Sequence, residues 1–161
     1  MIIIFVIVFF IVVVNLIVSH SRQSSKNAST FKSVPLLTPA EFRFYLSLRV
    51  YTGSRAIIFS KVRLADLFES TEFKRSSSWF SDFNRLALKH CDFVLVSSSG
   101  GILCGVELDD SSHVAVQRRE RDLFFNSVFE SARVPLFRFA VKSVYSSTDF
   151  KMLDNVFKSL L

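Results

Sequence analysis

The chain reads as a mixed α/β domain, a central sheet flanked by helices in the order α-β-β-β-α-β, preceded by one transmembrane helix. Three observations predict this. Apolar runs of strand length alternate with segments of helical period, which argues for a sheet covered by helices. Half of the 161 residues are apolar, with only four glycines, three prolines and two cysteines, which excludes disordered, collagen-like and disulfide-scaffold classes. An unbroken apolar stretch opens the sequence. The formal charge of +6 favours a polyanionic partner or a membrane surface.

The opening run, IIIFVIVFFIVVVNLIV from Ile2 to Val18, is interrupted only by Asn15. Its β-branched residues disfavour a helix in water, but lipid forces every backbone group to bond within the segment. No charge precedes the run and no small-x-small site follows it, so an uncleaved anchor is expected over residues 1–18 rather than a signal peptide. Arg22, Lys26 and Lys32 come before the first acid, Glu41. Positive residues stay inside, so a single-pass protein with its bulk in the cytoplasm is expected. Cys91 and Cys104 would then be reduced thiols, read as small buried hydrophobes. Residues 19–33 are polar and serine-rich and read as a flexible tether. The single domain then covers residues 34–161.

Within that domain Thr38-Pro39-Ala40-Glu41 opens a helix, with Thr38 as N-cap, Pro39 at the first position and Glu41 completing a capping box. Phe42, Tyr45, Leu46 and Arg49 continue it, and Gly53 closes it. Ala56–Val62 reads as a strand. Asp66–Asn84 reads as a loop followed by a short helix. Cys91–Ser97 and Ile102–Asp109 are apolar runs separated by Ser98–Gly101, an antiparallel hairpin. Val114–Ala132 has helical period, with Arg121, Phe125, Val128 and Ala132 on one face. Val134–Val141 is a strand and Asp149–Leu160 a final helix.

Alternation along Ile102–Asp109 turns Gly105, Glu107 and Asp109 to one side and Val106 and Leu108 to the other. Two carboxylates on such a strand are costly to bury unless paired or metal-bound. Asp92 is the only acid in the neighbouring run, and the hairpin brings it beside Glu107. A cluster of Asp92, Glu107 and Asp109 suits Mg²⁺, a hard cation that takes oxygen ligands and shares them with substrate phosphate. Such an ion activates water and offsets charge developing on a phosphodiester. The competing reading is an ordinary acidic strand end.

The segments L-L-T-P-A-E (Leu36–Glu41), H-C-D-F-V-L (His90–Leu95), E-L-D-D-S-S-H (Glu107–His113), R-E-R-D (Arg119–Asp122) and V-P-L-F-R-F (Val134–Phe139) together resemble the restriction-endonuclease-like, or PD-(D/E)XK, superfamily. Within it the chain is most similar to an uncharacterised family related to Vsr-type endonucleases. The resemblance spans Leu36 to Phe139 and implies that superfamily's mixed sheet. It places Asp92 at the first motif acid and Glu107 at the second. The motif's lysine falls on Asp109, which cannot supply a positive charge. His113 is then the candidate general acid or base, and Lys89 a displaced cation. Glu41 is either the acid that these folds carry near the metal or a capping residue only. Arg118, Arg119 and Arg121 either grip phosphate or form a solvated run with Glu120 and Asp122. Asp122 is a candidate support for His113 or an arginine.

Two functions follow. One is a Mg²⁺-dependent endonuclease, DNA favoured as substrate, tethered to a membrane by its N-terminal helix. The other is a catalytically inactive nuclease-fold module that binds nucleic acid or a protein partner. A membrane-anchored scaffold without nucleic-acid contact is a weaker third.

Overall fold

The structure, a computed structural model, describes residues 2–28, 31–109 and 115–158. It divides into two compact units, Met1–Pro35 and Leu36–Leu161.

The first unit is one helix, α1 (Ile2–Ala28). Asn15 sits inside its apolar stretch and donates from Nδ2 to the Ile11 carbonyl at 2.8 Å, so its amide is bonded within the helix. Two expectations are corrected here. Residues 19–28 continue the helix instead of forming a flexible tether, because no glycine or proline interrupts them. Among the described residues, no helix is long and apolar enough to cross a membrane. The apolar run stops at Val18, short of the roughly 20 residues a span needs, and the rest of α1 is polar. The transmembrane anchor, and the single-pass cytoplasmic placement drawn from it, are therefore withdrawn.

The second unit is a mixed α/β fold around a four-stranded sheet in the order β1-β2-β3-β4. In chain order it runs α2 (Pro39–Thr52), β1 (Ile57–Arg63), α3 (Leu64–Leu67), α4 (Ser77–Ala87), β2 (His90–Val96), β3 (Ile102–Asp109), α5 (Ala115–Ser131), β4 (Leu136–Ala140), a 3₁₀ helix (Ser147–Leu153) and α6 (Asp154–Lys158). β1, β2 and β3 pair antiparallel, and β4 joins β3 in parallel. The parallel step needs a crossover, which α5 supplies.

Local chemistry sets the boundaries. The capping box of α2 is complete: the Glu41 N–H donates to Thr38 Oγ1 and the Thr38 N–H to Glu41 Oε2. Gly53, at φ 57°, ends the helix by donating to the Arg49 carbonyl. The buried stripe of α2 is Phe44, Leu48 and Thr52, whereas Phe42 and Leu46 remain exposed. The loop expected after Asp66 is shorter than the sequence suggested. α3 follows β1 directly, and Ser76 caps α4 by accepting from the Trp79 N–H at 3.1 Å.

Each face of the sheet carries a core. On one face Phe44, Leu48, Phe93, Leu95, Val106, Phe139, Phe150 and Leu153 pack together, with the Phe44 ring 5.1–5.6 Å from those of Phe93, Phe139, Tyr145 and Phe150. On the other, Leu64, Leu86, Cys91, Val94, Phe125 and Phe129 form a second cluster under α3, α4 and α5. Both cysteines are free and buried. Gly105 lets α5 approach: a Cβ there would lie 2.4 Å from the Phe129 ring.

Candidate functional site

The site forms where the β2–β3 ladder stops. Paired positions run from Val96↔Ile102 to Phe93↔Val106 and go no further. Beyond them, side-chain carboxylates occupy the backbone donors. The Asp92 N–H donates to Glu107 Oε1 at 3.1 Å, and the Leu108 N–H to Asp92 Oδ2 at 3.0 Å. Carboxylate oxygens thus satisfy the Asp92 and Leu108 N–H groups at the opening.

The third member comes from β1. Lys61 Nζ lies 2.8 Å from Asp92 Oδ1 and 2.5 Å from Glu41 Oε1. The β1–β2 register sets Lys61 opposite Asp92, between the pairs Ser60↔Phe93 and Val62↔Cys91. Its φ is 55°, a left-handed conformation that costs an L-residue roughly 1–2 kcal/mol. Such outliers concentrate at functional sites when the surroundings hold them in place. Burial acts to lower the Lys61 pKa, but Asp92 and Glu41 outweigh it and the net shift is upward. Burial likewise opposes ionisation of Glu41, and Lys61 with the Thr38 donors brings it below the usual carboxylate value.

Glu107 is the buried charge of the site, only 6% exposed. Burial raises its pKa to about 7, and the Asp92 charge adds to the rise; the Asp92 N–H, Arg138 and Cys91 offset part of it. Beneath it, Cys91 Sγ is 3.2 Å from the Phe93 carbonyl and 3.5 Å from that of Val106. Burial foremost, and Glu107 next, push that thiol up, so it stays protonated. Glu41, Lys61, Lys89, His90, Asp92 and Glu107 line one pocket of about 350 Å³.

The structure therefore brings together Glu41, Lys89, Asp92 and Glu107 from the residues expected on sequence grounds. Asp109 is corrected as a member of the carboxylate cluster. Arg138 Nη1 lies 3.2 Å from Asp109 Oδ1 and 3.4 Å from Asp122 Oδ1, which ties both acids to β4. Asp122 thus supports an arginine, as one of its two readings held. The parallel register aligns Arg138 with Glu107 itself. Among the described residues no group of three or more His, Cys, Asp or Glu is arranged to hold a metal ion. Lys61 pairs with both Glu41 and Asp92, and Arg138 pairs with Asp109. Asp92 and Glu107 are the two carboxylates linked across the end of the β2–β3 pair. Mg²⁺ is often held by one or two carboxylates plus substrate phosphate, so this donor set fits that mode. His113 lies outside the described residues. Arg118, Arg119 and Arg121 belong to α5, and their side chains are also outside them.

Sequence reasoning missed Lys61, Arg138 and His90 as members. Lys61 carried a legible signal: it is the only charged residue in Ala56–Val62, the same criterion that singled out Asp92. Arg138 carried the same signal, as the only charged residue in Val134–Val141, but its partners lie 16 and 29 residues away in the chain.

A family model described as a protein of unknown function, DUF2726, matches residues 33–153, and the chain belongs to that family. No curated protein and no solved structure matches it.

Proposed function

We propose that this DUF2726 member is a divergent restriction-endonuclease-like phosphodiesterase that cleaves nucleic acid, DNA favoured, with Asp92, Glu107 and Lys61 as its working groups. The observation that carries the reading is Lys61. The resemblance lacked a cation at Asp109, and the Lys61 ammonium stands at Asp92 from the adjacent strand.

A Mg²⁺ ion, when bound by Asp92 and Glu107, would lower the pKa of a water and neutralise charge on the phosphate. The protein's own groups have separate tasks. Lys61 bonds Asp92 and fixes its orientation, and its ammonium stabilises negative charge that grows on a phosphate in the pocket. Glu107, buried beside Asp92, accepts from the Asp92 N–H and so fixes the spacing of the two carboxylates that would hold the ion. His90 and Lys89 line the same pocket, within reach of a substrate held there.

The test is cleavage of supercoiled DNA by the full chain over a Mg²⁺ titration, with Glu107→Ala and Lys61→Met alongside. Nicking should require the ion and fall by about 10²–10³-fold in Lys61→Met, the usual loss for one electrostatic stabiliser. Equal residual cleavage by parent and both variants overturns the reading and leaves the inactive binding module.

A further inference from the structure

Helix α4 carries aromatic side chains that the cores do not absorb. Phe80 is 49% exposed and Phe83 39% exposed, and Trp79 is half-buried. The Trp79 and Phe83 rings lie 5.5 Å apart and within 8° of parallel, while Phe80 meets Trp79 edge-on. Trp79 and Phe83 form one wall of an open cleft of about 300 Å³, floored by Leu86 and closed by the segment after β1. Of the acids at the cleft, Asp66 pairs with Arg63, Glu69 with Lys74, and Asp82 accepts from the Ser70 hydroxyl. Flat aromatic surface open to solvent is what nucleobases stack on, with little regard to sequence.

The same helix leads to the carboxylates. Arg85 and Lys89 lie 4.3 Å and 5.6 Å from one face partner, the Phe124 ring, and no acidic side chain pairs with either among the described residues. Lys89 also lines the Asp92–Glu107 pocket. From Trp79 to the end of α4 at Ala87 the rise is about 12 Å at 1.5 Å per residue, and Lys89 follows two residues later, the reach of a few nucleotides. On a chain of charge +6, this order of stacking surface, cations and carboxylates complements a strand whose bases are free.

We propose that α4 is a single-strand platform: Trp79 and Phe83 stack unpaired bases, and Arg85 and Lys89 contact the phosphates between them and the Asp92–Glu107 pocket. The substrate class is single-stranded DNA, or single-stranded stretches within it. The proposal rests on the phosphodiesterase reading but is tested without catalysis. Trp79 is the chain's one tryptophan, so its emission reports stacking directly. The full chain is titrated in EDTA with a 20-nucleotide oligo(dT), and with a blunt duplex of the same length, following Trp79 emission and the anisotropy of labelled DNA.

Oligo(dT) should quench Trp79 and bind at least about tenfold tighter than the duplex. Phe83→Ala should weaken oligo(dT) about tenfold with its salt slope unchanged. Arg85→Ala with Lys89→Ala should lower that slope by about 1.4, at 0.7 per phosphate contact on a single strand. Saturating oligo(dT) that leaves Trp79 emission unmoved, or a duplex that binds equally well, overturns the platform. The quenching needs no variant to fold. Quenching without any Mg²⁺-dependent cleavage sinks the phosphodiesterase reading alone, whereas cleavage with Trp79 silent sinks the platform alone.

Discussion

The two ends of the β2–β3 hairpin are made of the same strands and solve opposite problems. At the turn end, Ser97 and Gly101 close the loop through the Ser97 N–H to the Gly101 carbonyl and the Gly101 N–H to Ser97 Oγ. Ser99 completes it at 2.8 Å from Ser97 Oγ. Every partner is neutral and small. At the open end the ladder gives way to Asp92 and Glu107, and the backbone donors are met by ionisable oxygens. A strand pair can be satisfied in either manner, but only the second leaves charge that is incompletely compensated. Glu107 keeps a pKa of about 7 because burial there is not repaid by a full counterion. That imbalance is a cost to folding and the feature a cation-dependent site needs.

Three substitutions test this contrast. The largest effect is expected between the two ends. Gly105→Ala places a Cβ 2.4 Å from Phe129 Cε1 and 3.1 Å from Leu136 Cδ1, which drives α5 from the face that buries Glu107. Overpacking against the Phe129 ring and the Leu136 side chain should destabilise by about 4 kcal/mol, read by urea unfolding. A loss under 1 kcal/mol would mean that α5 yields freely and that the burial of Glu107 is not fixed by the fold.

Next comes the open end. The Glu107 pKa is raised from 4.5 to about 7, so between those values the folded protein holds a proton that the unfolded chain has released. Stability contributed by the protonated form is complete below pH 4.5 and is lost as the pH rises to 7. At 1.36 kcal/mol per pH unit, ionisation should cost about 3 kcal/mol. Glu107→Gln keeps an acceptor for the Asp92 N–H and cannot ionise. In EDTA it should match the parent near pH 4.5 and exceed its stability by about 3 kcal/mol at pH 8. Parallel pH profiles for the two proteins would contradict the buried-charge account.

The turn end should respond least. Gly100 has φ 90° with open space around its Cα, so Gly100→Ala meets only backbone strain, about 1–2 kcal/mol. It should leave the proposed Mg²⁺-dependent cleavage, per folded molecule, unchanged. A loss of cleavage larger than the loss of folded protein would show that the two ends are coupled.

Much of the fold was legible in local chemistry. The capping box at Thr38–Glu41, the apolar runs of β2 and β3, and the turn between them are each specified by neighbours in sequence, so they could be read without a structure. The alternation that set Gly105, Glu107 and Asp109 apart from Val106 and Leu108 was legible for the same reason. Boundaries and faces were less so. Phe44 and Leu48, not Phe42 and Leu46, became the buried stripe of α2, because the phase of a helix is chosen by the surface it meets. The final helix, expected over residues 149–160, begins as a 3₁₀ turn at Ser147 and becomes α-helical only at Asp154. The expected anchor rested on an apolar run at the lower limit of spanning length, and among the described residues no helix is long and apolar enough to cross a membrane.

At the site, the sequence by itself determined which acids were anomalous: Asp92 and Glu107 stand in apolar runs where an unpaired carboxylate is expensive. Only the tertiary structure decided their partners. Lys61 is 31 residues from Asp92 and 20 from Glu41 in the chain, and Arg138 reaches Asp109 across 29. Asp109 shares a strand face with Glu107 yet is drawn to β4 by that arginine. Coulomb attraction depends on distance in space, and the sheet order that makes these distances short is set by the packing of two cores that no local pattern encodes.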